Sequence, residues 1–117
     1  MKKNIILFLL LGLLFVGCSA LTPLDENPDW LSNLITKFEN EPTARPAPEI
    51  WRYYYKNQIV YYFIAPCCDQ YNILYDSTGN FLGYPDGGWT GKGDGKFPDF
   101  FTERKNGTLI WKAKRNG

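Results

Sequence analysis

The chain has 117 residues, 13 basic and 12 acidic side chains, 17% aromatic residues and no histidine. That length suits one small domain, and the even charge offers no basic field to hold nucleic acid. Without histidine the commonest general base and zinc ligand are missing, so an enzyme is the weaker expectation.

Lys2 and Lys3 stand ahead of an apolar run from Ile5 to Val16, interrupted only by Gly12. A bilayer span needs about 20 apolar residues, so residues 1–17 read as a secretory signal peptide rather than a membrane helix. The run closes on Leu14-Phe15-Val16-Gly17-Cys18, which resembles the bacterial lipobox, although Phe15 stands where leucine is usual. The resemblance implies that Cys18 is acylated, through a diacylglyceryl thioether and an amide-linked chain such as palmitate, and becomes the new N-terminus. Several acyl chains anchor a protein stably where one does not. An ordinary cleaved signal with a chance cysteine is the alternative. Ser19, in place of the aspartate that signals inner-membrane retention, favours an outer-membrane lipoprotein in the bacterial cell envelope, facing the periplasm or the cell surface. Residues 18–28 are short, polar and punctuated by proline, and read as a lipidated tether.

The domain is expected over residues 29–113. Trp30, Leu31, Leu34, Ile35 and Phe38 recur at helical spacing, which predicts one amphipathic helix over Pro28–Glu41. Asn27 or Asp25 is positioned to cap it, Pro28 suits the first turn, and Asp29 suits the positive end of the dipole. Pro42, Pro46 and Pro48 make a stiff connector. Two β-branched and aromatic runs, Ile50–Tyr55 and Ile59–Ile64, flank Lys56-Asn57-Gln58 and read as a hairpin. Tyr71–Tyr75 fits a third strand, Phe81–Tyr84 a short fourth beyond the Ser77-Thr78-Gly79-Asn80 turn, and Thr108–Lys112 a last one. One helical turn is expected at Pro98–Glu103, and residues 114–117 read as a frayed tail. The expected class is α+β: an N-terminal helix packed on an antiparallel sheet of four or five strands, with a long glycine-rich loop.

The stretch from Cys67 to Phe100 carries the distinctive motifs. Cys67-Cys68-Asp69-Gln70-Tyr71-Asn72, Leu74-Tyr75-Asp76, Gly79-Asn80, Pro85-Asp86-Gly87-Gly88, Thr90-Gly91-Lys92-Gly93-Asp94-Gly95 and Pro98-Asp99-Phe100 follow one another. Together with Leu109-Ile110-Trp111, the set resembles a family of small bacterial lipoproteins of unknown function. The family's members often carry two further cysteines, near the positions of Gly83 and Phe97, and this chain has neither.

Within that stretch each chemical reading has a structural rival. Cys67 and Cys68 are adjacent thiols in an oxidising compartment, which suits a vicinal redox pair with Asp69 beside it. The rival has both as small buried residues at a strand end, and without CxxC spacing it is the stronger. Asp86, Asp94 and Asp99 are hard oxygen donors in a loop whose glycines free backbone carbonyls, so calcium is a candidate ligand, although the spacing matches no EF-hand. Aspartate and glycine are also what turns are made of. Gly91-Lys92 fails as a phosphate loop, because Gly93 stands where Ser or Thr should hold magnesium. Asp69 and Asp76 make a poor carboxylate pair for catalysis; Asp76 is expected to open the turn after it.

The aromatic residues offer a binding reading. Tyr53 and Tyr55 alternate with Tyr54 along one strand, so one sheet face meets the helix and the other is left as a wet aromatic surface. With Trp89 at the loop tip, that surface suits an envelope protein or a glycan. Cross-strand pairing that merely stabilises the hairpin is the rival. The sequence therefore leads to a lipid-anchored, non-catalytic binding or structural module, with thiol redox chemistry and calcium binding as alternatives.

Overall fold

Alternation of apolar side chains down two adjacent strands gives a sheet two apolar faces, and this chain covers both. The computed structural model describes residues 26–41, 48–67 and 69–114. Helix α1 spans Asp29–Asn40, followed by strands β1 (Glu49–Tyr55), β2 (Gln58–Ile64), β3 (Ile73–Asp76) and β4 (Phe81–Gly83), a short helix α2 (Phe100–Glu103) and strand β5 (Lys105–Lys112). The strands form one sheet in the order β4-β3-β2-β1-β5, antiparallel throughout. The class is mixed α+β. Signal peptide, Cys18, Asp25, Pro42, Pro46, Cys68 and residues 115–117 lie outside the described residues.

The β1–β2 hairpin closes on Tyr55 opposite Gln58, so its loop is two residues rather than three. Lys56 and Asn57 both take positive φ, 47° and 62°, as a type I′ turn requires to match strand twist. Asn57 was the expected left-handed residue; Lys56 follows because the turn type needs two.

Helix α1 follows its apolar stripe. Leu31 and Phe38 are buried with Ile50, Tyr61 and Phe63, and Trp30, Leu34, Ile35 and Trp111 pack around them. Its start differs from expectation. Pro28 itself is the N-cap residue, its carbonyl accepts from the Leu31 and Ser32 amides at 3.0 and 3.1 Å, and among the described residues no side chain caps the end. Both ends are tied to the sheet instead. Trp30 Nε1 donates to the Ser77 carbonyl at 2.9 Å, and Trp111 Nε1 donates to Glu39 Oε1 at 3.2 Å. Ser77 belongs to the β3–β4 turn and Trp111 to edge strand β5, and between them the helix packs on residues of β3, β2, β1 and β5.

The opposite face is covered by the chain between β4 and β5. Phe100 is fully buried with Tyr55, Val60, Tyr62 and Leu74, and Phe97, Tyr53 and Trp51 pack against that cluster. Phe100 stands 5.2, 5.3 and 5.8 Å from the rings of Tyr62, Tyr55 and Tyr53. Arg104 then lies over the Tyr53 and Phe101 rings at 4.6 and 4.5 Å. This overturns the expectation of a wet aromatic face. Tyr55 is 2% exposed and Tyr53 is half-buried, so neither offers a stacking surface. Tyr53 and Tyr55 do share one face of β1, but its cover arrives from the segment that carries Phe97 and Phe100.

Candidate functional site

Residues 84–99 are held by backbone bonds made possible by glycine. Gly93 has φ 64°, and a Cβ there would run into the Tyr84 carbonyl oxygen. Gly88 lies against the Tyr71 ring with no room for a side chain. Around them the Gly93 amide donates to the Gly87 carbonyl at 3.1 Å, the Gly88 amide to the Gln70 carbonyl at 3.1 Å, and the Asn72 amide to the Asp86 carbonyl at 3.2 Å. The loop is thus stitched to the stretch before β3.

Asp86, Asp94 and Asp99 each serve a different anchor. Asp86 Oδ1 accepts from the Tyr62 hydroxyl at 2.7 Å, and its Oδ2 accepts from Asn72 Nδ2 at 2.9 Å. Asn72 Nδ2 also donates to the Tyr62 oxygen at 3.1 Å, and Asn72 Oδ1 accepts from the Ala65 amide at 2.7 Å. Burial first, then the bond to Asp86, pushes the Tyr62 phenol well above its ordinary pKa. Asp94 accepts from the Tyr84 and Lys96 amides, each at 2.9 Å. Those bonds, the Tyr84 amide foremost, hold its carboxyl below the usual range. Asp99 accepts from the Tyr55 hydroxyl at 2.5 Å and pairs with Lys56 Nζ at 3.4 Å. The Tyr55 bond is the main reason its pKa falls.

These contacts correct the calcium expectation. The three carboxylates are not brought together, and among the described residues no three His, Cys, Asp or Glu side chains gather as a metal site. Each carboxylate instead fastens a different part of the loop, Asp86 to Tyr62 and Asn72, Asp94 to the Tyr84 and Lys96 amides, and Asp99 to Tyr55 and Lys56. Asp76 plays the turn role expected of it, since its Oδ1 accepts from the Thr78 amide and hydroxyl and the Asn80 amide at 2.8 to 2.9 Å.

Cys67 is disulfide-bonded and exposed, which corrects the reading of it as a buried thiol. The other two cysteines, Cys18 and Cys68, lie outside the described residues. Asp69 is exposed in the turn closed by the Gln70 amide on the Cys67 carbonyl at 3.1 Å. Gly83 and Phe97, the two positions near which the resembled family carries further cysteines, face each other: a Cβ on Gly83 would lie 2.5 Å from Phe97 Cε2. An aromatic ring seated on glycine fills that place here.

Trp89 is 93% exposed. Its turn is closed by the Gly91 amide on the Gly88 carbonyl and the Gly87 amide on the Gly91 carbonyl, both at 3.3 Å. Tyr71 lies against Gly88, the residue before Trp89, and stacks on Tyr84 at 4.4 Å, and Phe81 meets Tyr84 edge-on at 5.1 Å. Tyr71 and Phe81 are about half exposed. Sequence reasoning picked Trp89 from this group and missed Tyr71, Tyr84 and Phe81. Their spacing has no strand period, and only the docking of the loop beside β4 brings them together.

The chain belongs to the DUF6970 family, described as a domain of unknown function, whose model matches residues 36–113, from within α1 to just past β5. The motif resemblance thus holds as membership of an uncharacterised family. No curated protein and no solved structure matches the chain.

Proposed function

We propose that this chain is a bacterial envelope lipoprotein anchored through Cys18, with its domain serving as a non-catalytic binding module. The first helix packs on the sheet, and the glycine-rich loop is presented outward from the tether. The observation that carries the reading is Trp89, a large apolar ring at 93% exposure on a turn closed by its own backbone. An exposed tryptophan on an ordered turn offers a large apolar surface to a partner, and such residues dominate binding energy at interfaces. Tyr71, Tyr84 and Phe81 extend it into an aromatic patch suited to an envelope protein or a glycan. The patch replaces the Tyr53 and Tyr55 face as the binding surface.

The anchoring half is tested by metabolic labelling with an alkyne fatty acid, where Cys18→Ala must abolish the label. The binding half is tested by a photo-crosslinking residue at position 89 in living cells. A discrete adduct that is absent with the probe at exposed Lys114 supports it; no adduct at position 89 leaves a purely structural module. Thiol redox chemistry stands as a second reading, because Cys67 is both oxidised and exposed. Its test is cycling of the Cys67 bond in cells during oxidant and reductant challenge, and a bond that never opens removes that reading.

A further inference from the structure

Arg104 links α2 to β5, and the second core holds it by rings rather than by an anion. Its guanidinium lies 4.6 Å from the Tyr53 ring centre, 4.5 Å from that of Phe101 and 5.4 Å from that of Phe100. Rings attract the charge but offer its N–H donors no lone pair. Among the described residues no carboxylate pairs with it. Asp99 is taken by Lys56 and Glu49 by Lys112, and Glu103 lines a separate polar cleft with Lys56 and Lys105.

Apolar groups open to solvent share its face of the sheet. Leu109 on edge strand β5 stands opposite Trp51 on β1, so it lies on the face that Trp51 and Tyr53 turn toward Phe100. Trp51 stacks on Tyr53 at 6.2 Å, and both are half-buried. Phe101 is 47% exposed and Leu109 is 44% exposed. We propose that this patch docks a partner protein through a segment that carries one carboxylate beside an apolar side chain. The carboxylate meets Arg104, whose planar fork matches it in shape as well as charge, and the apolar side chain lies on Phe101 and Leu109.

Charge and composition choose a protein segment over a polyanion. Nucleic acids and anionic lipid surfaces are held by several cations acting together. Here Lys105 stands opposite Tyr54 and so belongs to the other face, and Lys112 is paired with Glu49. Of these three cations Arg104 is the one left to bind, and one guanidinium suits one carboxylate. Arginine among aromatic rings is also what the centres of protein interfaces are rich in. The patch shares no residue with the Trp89 turn, so it is a second surface.

The test selects displayed random peptides on the whole protein, with Arg104→Gln as the counter-selection. Enriched peptides are expected to carry Asp or Glu next to an aliphatic or aromatic residue. The best of them, titrated by fluorescence anisotropy, is expected to lose roughly tenfold or more in affinity on Arg104→Gln, and as much when its own acid is replaced by the amide. Arg104→Lys, which keeps the charge without the planar fork, is expected to fall between the two. If Arg104→Gln does not fold, Leu109→Glu, at an exposed edge position, must abolish binding by setting a carboxylate in the patch. No enrichment, enriched peptides without an acid, or equal binding by the native protein and the variants would overturn the proposal. So would binding of phosphatidylglycerol vesicles or heparin that Arg104→Gln removes, which would give the cation to a polyanion.

Discussion

The Tyr62 hydroxyl donates to Asp86 Oδ1 at 2.7 Å while Asn72 Nδ2 bridges the pair, donating to both. Tyr62 is on β2 and Asp86 begins the glycine-rich loop, so this contact pins the start of the loop to the sheet, as Asp99 on Tyr55 pins its end. Removing the acceptor strands a buried phenol and an amide, which costs more than removing the phenol's oxygen alone. Asp86→Ala is expected to destabilise the protein by about 1–3 kcal/mol and Tyr62→Phe by about 1 kcal/mol. Urea melts of both singles and the double variant measure this, and an additive double would show that the pair does not couple.

Phe100 and Trp89 separate what holds the loop from what the loop displays. Phe100 is fully buried among the rings of the second core. Phe100→Ala should cost about 3–5 kcal/mol, a large share of the stability of so small a domain. Trp89→Ala should stay within about 0.5 kcal/mol of the native protein, because the ring makes no core contact. Thermal melts decide both, and a marked loss from Trp89→Ala would turn the ring into scaffold.

Calcium is expected to leave the protein unmoved. Asp86, Asp94 and Asp99 already accept bonds from Tyr62, Asn72, the Tyr84 and Lys96 amides, Tyr55 and Lys56. The melting temperature in millimolar calcium should equal that in EDTA at matched ionic strength. A calcium-dependent rise would mean that the native state binds the ion.

Stability should fall at both ends of the pH scale. Asp76, Asp94 and Asp99 have folded pKa values below their ordinary ones. Their contribution is complete above the unfolded carboxylate range and is lost as pH drops through the folded values, below about pH 4. Tyr55, Tyr61, Tyr62 and Tyr75 are shifted upward, burial being the first cause in each. Their contribution is complete below the unfolded phenol pKa of about 10 and is lost as pH rises through the folded values. Melting temperature against pH should show a plateau between these limits. Tyrosinate absorbance should rise together with unfolding on the alkaline side; ionisation of all eight tyrosines near pH 10 with the fold intact would contradict the burial.

Local order was legible in the chain itself. The stripe from Trp30 to Phe38 specifies α1, the two aromatic runs specify the hairpin, and Asp76 ahead of Ser-Thr-Gly-Asn specifies its turn, because each depends on neighbours a few residues apart. What the tertiary structure decided is what lies on each sheet face and what each carboxylate faces. Alternation in β1 announces two apolar faces but not their covers, and Phe97 and Phe100 reach Tyr55 across more than forty residues. Separations of 14 and 24 residues likewise hid the roles of Asn72 and Tyr62, whose bonds to Asp86 turn a candidate ion ligand into an anchor.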